Sequence, residues 1–240
     1  MKVKNELKDI IFSIKRHIEL EGLAGTGAVG NGDSAIFSKK NRALSPFPVR
    51  APVPNKTTDA WVGLKHEVGS CAKCELSKTR TRVVFGSGSP KARLMFVGEA
   101  PGRDEDLQGL PFVGRAGQLL TKIIESIGLK REDVYIANIL KCRPPNNRNP
   151  YPTEILACEG YLLRQIELIK PKLICTLGKF AAQALLRSTE PISRLRGRFF
   201  DYHGSRLIPT YHPAYLLRNP SDKYLVWEDM KKIRKIINGK

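Results

Sequence analysis

Apolar residues recur at helical spacing at the start of the chain and then give way to a long polar stretch. Leu7, Ile10, Ile11, Ile14 and Ile18 fall on one face of a helix over residues 3–22, with Gly22 as its stop. Residues 23–56 are rich in Gly, Ser, Ala and Pro, a composition that buries too little apolar surface to hold itself folded, and they read as a linker. From residue 57 to residue 240 short unbroken apolar runs alternate with helical patterns. LMFVG (94–98), VYIANIL (134–140), LICTLG (173–178) and RLIPTYH (206–212) read as strands covered on both faces. Helices are predicted over 57–68, 116–127, 152–169 (Pro152 in its first turn), 180–187 and 225–237. The alternation predicts a three-layer α/β/α domain around a mainly parallel four-stranded sheet. Such sheets place their sites beyond the carboxyl ends of the strands. There the unusual sequence gathers: GEAPGRDED after the first strand, NILKCRPPNNRNP after the second and HPAYLLR after the last.

Charge narrows the choice of partner. The 240 residues carry 41 Lys and Arg against 23 Asp and Glu, a formal +18. Residues 1–60 hold 10 basic and 6 acidic residues and so supply only +4 of it. The excess lies on the domain, and it points to a polyanion: DNA, RNA or a membrane surface. No run approaches the roughly eighteen apolar residues of a membrane span, and the N-terminus lacks an apolar segment with a cleavage site. A soluble, intracellular protein is expected.

Five cysteines, an odd number at uneven spacing, fit a disulfide scaffold poorly. Cys71 and Cys74 form a CxxC, Cys142 lies in KCRPP, and Cys158 lies in the helix that follows. Fifteen residues separate the last two, where a structural zinc site would bring a second close pair; spacing alone leaves zinc and an iron-sulfur cluster both open. Cys175, inside an apolar strand, reads as a core thiol.

The remaining candidates sit on the loops. The turn in GEAPGRDED exposes backbone N–H groups, but its carboxylates would repel phosphate, so a neutral base fits it better; a plain tight turn is the alternative. Phe112 in PFVGRAG is a stacking platform or a core plug. Asn138 closes a strand and offers one acceptor and one donor from a single amide, which matches N3–H and O4 of uracil and mismatches cytosine; a turn cap is the alternative. His212 starts HPAYLLR, whose apolar tip and Arg218 could wedge into a duplex and bind phosphate. Arg143 and Arg148 in KCRPPNNRNP could add backbone contacts, or form a solvated loop.

In order and spacing, CxxC at Cys71 and Cys74, GEAPGRDED, LPFVGRAGQLL, NILKCRPPNNRNP, Cys158 and HPAYLLR resemble one family over about residues 57–237: the iron-sulfur, family 4 uracil-DNA glycosylases. The resemblance implies a 4Fe-4S cluster on Cys71, Cys74, Cys142 and Cys158. It places Gly98, Glu99 and Ala100 along a uracil pocket, Phe112 on the flipped base, Asn138 at its Watson-Crick edge and His212 facing O2. Leu216 and Leu217 are then the expected wedge, and Arg143, Arg148 and Arg218 the expected DNA contacts. Uracil-containing DNA becomes the expected substrate, with a monomer acting in the cytoplasm on the nucleoid and the N-terminal helix as a hook for a protein partner.

One position departs from the best-known uracil glycosylases, which carry an Asp beside the attacking water where this chain has Ala100. Glu105 is the candidate to position the water or block a thymine methyl, and Glu99 the runner-up. No KRRIH-like basic insertion of the covalently trapping branch is found, so turnover is expected. The rival reading is a non-catalytic nucleic-acid module with a purely structural cysteine site.

Overall fold

The computed structural model describes residues 57–239. The expected helix over 3–22 and the linker over 23–56 lie outside them. The central sheet is built from β2 (Leu94–Gly98), β3 (Tyr135–Asn138), β4 (Leu173–Leu177) and β6 (Ser205–Thr210), in the order β3-β2-β4-β6, and all three pairings are parallel. Every residue of β2, β3 and β4 is buried, which is why these segments read as unbroken apolar runs.

The four expected strands form this parallel core, and among the described residues two edge strands bring the sheet to six. β1 (Ser87–Gly88) pairs antiparallel with β3 at one edge, and β5 (Phe200–Tyr202) pairs antiparallel with β6 at the other. β1 is two residues long and leaves no periodicity to read. β5 joins β6 through His203 and Gly204 alone, both at positive φ (47° and 80°). That is the backbone of a two-residue hairpin turn, here without the Asn-Gly or Asp-Gly pair that normally signals one.

Helices cover both faces. Alternate strand residues supply two cores: Met95, Val97, Ala137 and Ile174 pack with α1 (Thr57–Gly69), α4 (Pro152–Ile169) and α5 (Lys179–Leu186). Leu94, Phe96, Ile136 and Leu173 pack with α3 (Arg115–Ser126), α7 (Pro213–Arg218) and α8 (Lys223–Ile237). Two short helices complete the set, α2 (Arg103–Gln108) and α6 (Ile192–Leu195). Cys175 is fully buried in the second core. No described helix is long and apolar enough to cross a membrane.

Candidate active site and cysteine pocket

Because β2 and β3 run parallel in register, Gly98 and Asn138 end their strands side by side. A Cβ on Gly98 would lie 2.3 Å from Asn138 Oδ1 and 2.6 Å from Phe112 Cζ, so only glycine lets the three converge. Asn138 is 1% exposed, and its Oδ1 has no hydrogen-bond partner among the described residues. An unpaired buried acceptor costs about 1–3 kcal/mol unless a ligand supplies the donor.

Phe112 reaches this point by an unusual route. Its backbone is left-handed (φ 53°), and its carbonyl oxygen lies 1.8 Å from where a Cβ on Gly117 would be, so α3 can pass under the loop only with glycine there. Glu105 brackets the same loop. Its Oε1 accepts from the backbone N–H groups of Val113 (2.9 Å) and Gly114 (3.2 Å), and its Oε2 from that of Gly102 (3.1 Å). Arg131 adds a bond to the Pro111 carbonyl at 2.5 Å. Both pocket loops are thus tied to one carboxylate.

His212 faces Phe112 from the end of β6, with ring centroids 5.6 Å apart at 33°. Its Nδ1 accepts the Ala214 backbone N–H at 3.0 Å, which makes His212 the N-cap of α7. Burial, with Arg218 adding like-charge repulsion, pushes its pKa down to about 4. Glu99, the residue after Gly98, is partly buried, and its carboxylate makes no hydrogen bond among the described residues. Burial alone raises its pKa to about 7. Ala100 packs against the first core and brings no carboxylate.

The expected DNA contacts divide. Leu217 is 39% exposed and Arg218 is exposed, but Leu216 is 1% exposed and belongs to the second core. The expectation that Leu216 forms part of the wedge is therefore corrected: HPAYLLR is a helical turn, and Pro213 and Leu216, three apart, face inward together. Arg148 is held in its loop by a two-pronged pair with Glu154 (2.9 and 2.5 Å) and stacks on Tyr151 at 3.6 Å. It shapes the loop, and its guanidinium is committed there. Arg143 donates to Asn147 Oδ1 at 2.7 Å.

Cys71, Cys74, Cys142 and Cys158 line a single pocket, the first two half-buried and the others buried. None of the four is in a disulfide. Burial pushes Cys158 up to about 11 and also raises Cys142. Donors nevertheless converge on the sulfurs: Arg80 Nη1 reaches Cys142 Sγ at 3.2 Å, and the Lys141 backbone N–H reaches Cys158 Sγ at 3.3 Å. Among the described residues no three His, Cys, Asp or Glu side chains form a group able to hold a metal ion. Sequence reasoning missed Arg80 and Lys141, because their partners lie up to 62 residues away along the chain.

The family model for the uracil DNA glycosylase superfamily matches residues 85–231. The chain belongs to that superfamily. Within it the chain is of the type-4 branch. It is 50% identical to the type-4 uracil-DNA glycosylase of Archaeoglobus fulgidus over 182 residues, which cover 72% of this chain and 92% of that one. It is 48% identical to that of Saccharolobus solfataricus (72% and 85% covered) and 47% identical to that of Thermotoga maritima (72% and 93%). This type-4 chain is a hydrolytic glycosylase that acts on uracil in DNA.

Proposed function

We propose that the Gly98–Phe112–Asn138–His212 pocket is the uracil site, and the observation that carries this is the unpartnered, buried Asn138 Oδ1. An acceptor held there, with a donor NH2 on the same amide, pairs with N3–H and O4 of uracil. Cytosine presents an acceptor at N3 and a donor at N4, so both contacts become repulsive. A flipped base costs about a few kcal/mol in lost stacking, and the Phe112 ring offsets part of that. As the N-glycosidic bond breaks, negative charge gathers on the departing base, and the His212 Nε2–H donates to O2.

Water activation falls to Glu99. Glu105 has both carboxylate oxygens engaged by backbone N–H groups and acts as the bracket of the two loops. Glu99 keeps its carboxylate unbonded beside Gly98, and ionised it can orient the water. The product is an abasic site, released by turnover, so a denaturing gel shows no trapped adduct. Leu217, Arg218 and Arg143 are the proposed DNA contacts, and the enzyme works as a monomer on nucleoid DNA, with residues 3–22 as the proposed hook for a protein partner.

The cysteine pocket fits an iron-sulfur cluster. One zinc ion needs four ligands at about 2.0–2.3 Å and hence a tight group, whereas a cluster of several irons accepts thiolates set farther apart. The four cysteines lining one pocket, the Arg80 guanidinium at Cys142 Sγ and the Lys141 backbone N–H at Cys158 Sγ all suit thiolates around such a cluster. When bound, a 4Fe-4S cluster on Cys71, Cys74, Cys142 and Cys158 would tie the segment after α1 to the loop after β3 and to α4.

Matched single-stranded oligonucleotides carrying one uracil, cytosine or thymine, followed by alkaline cleavage, test the base site. Scission at uracil alone is expected, and Asn138→Asp should lower it by about 10²–10³-fold. Equal scission in that variant rules out Asn138 as the reader.

A further inference from the structure

Lys141 stands between the two sites. Its side chain is 1% exposed, and its Nζ donates to the Asn138 backbone carbonyl at 2.9 Å and to Gln165 Oε1 at 2.6 Å. Its own backbone N–H meets Cys158 Sγ, and Cys142 is the next residue.

We propose that Lys141 is a positioning residue for base recognition, holding the Asn138 peptide and the cysteine pocket in one fixed relation. This rests on the reading of Asn138 as the residue that recognises uracil.

The backbone explains why the lysine is needed. The Ile139 N–H donates to the Gly98 carbonyl at 3.0 Å, toward β2. In a trans peptide the Asn138 carbonyl points the opposite way, toward the edge where β1 lies. β1 has already ended there, since its pairing stops at Ile136. The last carbonyl of β3 would therefore be buried and orphaned, and the Lys141 ammonium takes it. Were it left unpaired, the peptide would be held only from the β2 side, through the Ile139 N–H, and the carboxamide would lose one of its two supports.

The far end of the lysine is anchored as firmly. Gln165 on α4 accepts from Lys141 and donates to the Phe85 carbonyl at 2.9 Å and to the Tyr135 hydroxyl at 3.1 Å. The backbone N–H of Lys141 itself meets Cys158 Sγ, and Cys142 follows it in the chain. One buried lysine thus borders the cysteine pocket and holds the peptide of the residue proposed to read the base.

The experiment uses the full chain with its cysteine site loaded, and compares wild type with Lys141→Met, a neutral side chain of similar length. Inhibition by free uracil and affinity for abasic-site DNA are measured side by side, with iron content and the visible spectrum as the check on the cysteine site. The expected result is free uracil binding weakened about ten- to a hundredfold, the size of one lost hydrogen bond to a charged donor, with abasic-DNA affinity and spectrum unchanged. An unchanged uracil inhibition constant overturns the proposal. Where Lys141→Met fails to fold, Gln165→Met, which frees the far end of the lysine, carries the same comparison: weaker uracil inhibition supports the proposal and unchanged inhibition overturns it. Asn138→Asp in the same assay separates the two levels. If that variant also binds uracil normally, the reading of Asn138 has failed; if it alone weakens binding, only the role of Lys141 has.

Discussion

His212 accepts the Ala214 backbone N–H on Nδ1, and this one bond decides which ring nitrogen can donate. A neutral imidazole with an acceptor at Nδ1 carries its proton on Nε2. The ring is also hard to charge, since its folded pKa lies near 4 against an ordinary 6.5. A depressed pKa means that the unfolded chain binds the proton more readily, so this group's contribution to stability is complete above 6.5 and is lost as pH falls through about 4. Single-turnover excision should therefore show the His212 limb near pH 4. His212→Ala should lower the rate about 10²–10³-fold, the usual cost of one transition-state donor. A limb near 6.5 that disappears in His212→Ala would show that the ring is not held neutral.

Glu99 titrates with the opposite sign. Its folded pKa of about 7 exceeds the ordinary 4.5, so the folded state holds the proton more tightly and stability declines as pH rises from 4.5 through 7. Glu99→Gln removes this penalty. Its thermal midpoint should match that of wild type near pH 4.5 and exceed it above pH 7, by a margin worth roughly 1–2 kcal/mol for a partly exposed group. An activity limb near pH 7 in wild type should vanish in the same variant. Calorimetry at three pH values, with rates measured alongside, decides both points.

Gly98→Ala puts a methyl group 2.3 Å from Asn138 Oδ1 and 2.6 Å from Phe112 Cζ. The fold should survive, because the displaced groups face a pocket, but uracil would no longer fit beneath the ring. Circular dichroism should be unchanged while excision falls to the level of the Asn138→Asp variant. Full activity in Gly98→Ala would place the base elsewhere.

Adjacent leucines should behave differently. Leu216→Ala opens a hole in the core above α3 and α8 and should cost about 2–5 kcal/mol of stability. Leu217→Ala should leave stability within about 0.5 kcal/mol, as surface changes do, and slow excision from duplex more than from single strands. Denaturant melts and the ratio of the two rates measure each effect.

The α/β alternation was legible because fully buried parallel strands have no polar face to interrupt their apolar runs, as in Leu94–Gly98 and Leu173–Leu177. The edge strands were not, since two or three half-exposed residues carry no period. At the site, Phe112, Asn138 and His212 could be found because each stands beside a turn signal at a strand or helix end. Leu216 was misplaced for a related reason: a six-residue helix after Pro213 is too short to separate inward from outward positions by eye. Glu105 could be named from the sequence, but its bonds to Val113 and Gly114, like that of Lys141 to Gln165, form only when the fold brings separate segments together. No local pattern announces such partners.

Glu105 lashes the loop of Phe112 to the loop of Gly102, and Gly117 lets the backbone of Phe112 lie close against α3. Every bond in that lashing is made inside the protein, so the placing of the aromatic ring in the proposed uracil pocket is inherited from a carboxylate on a different loop.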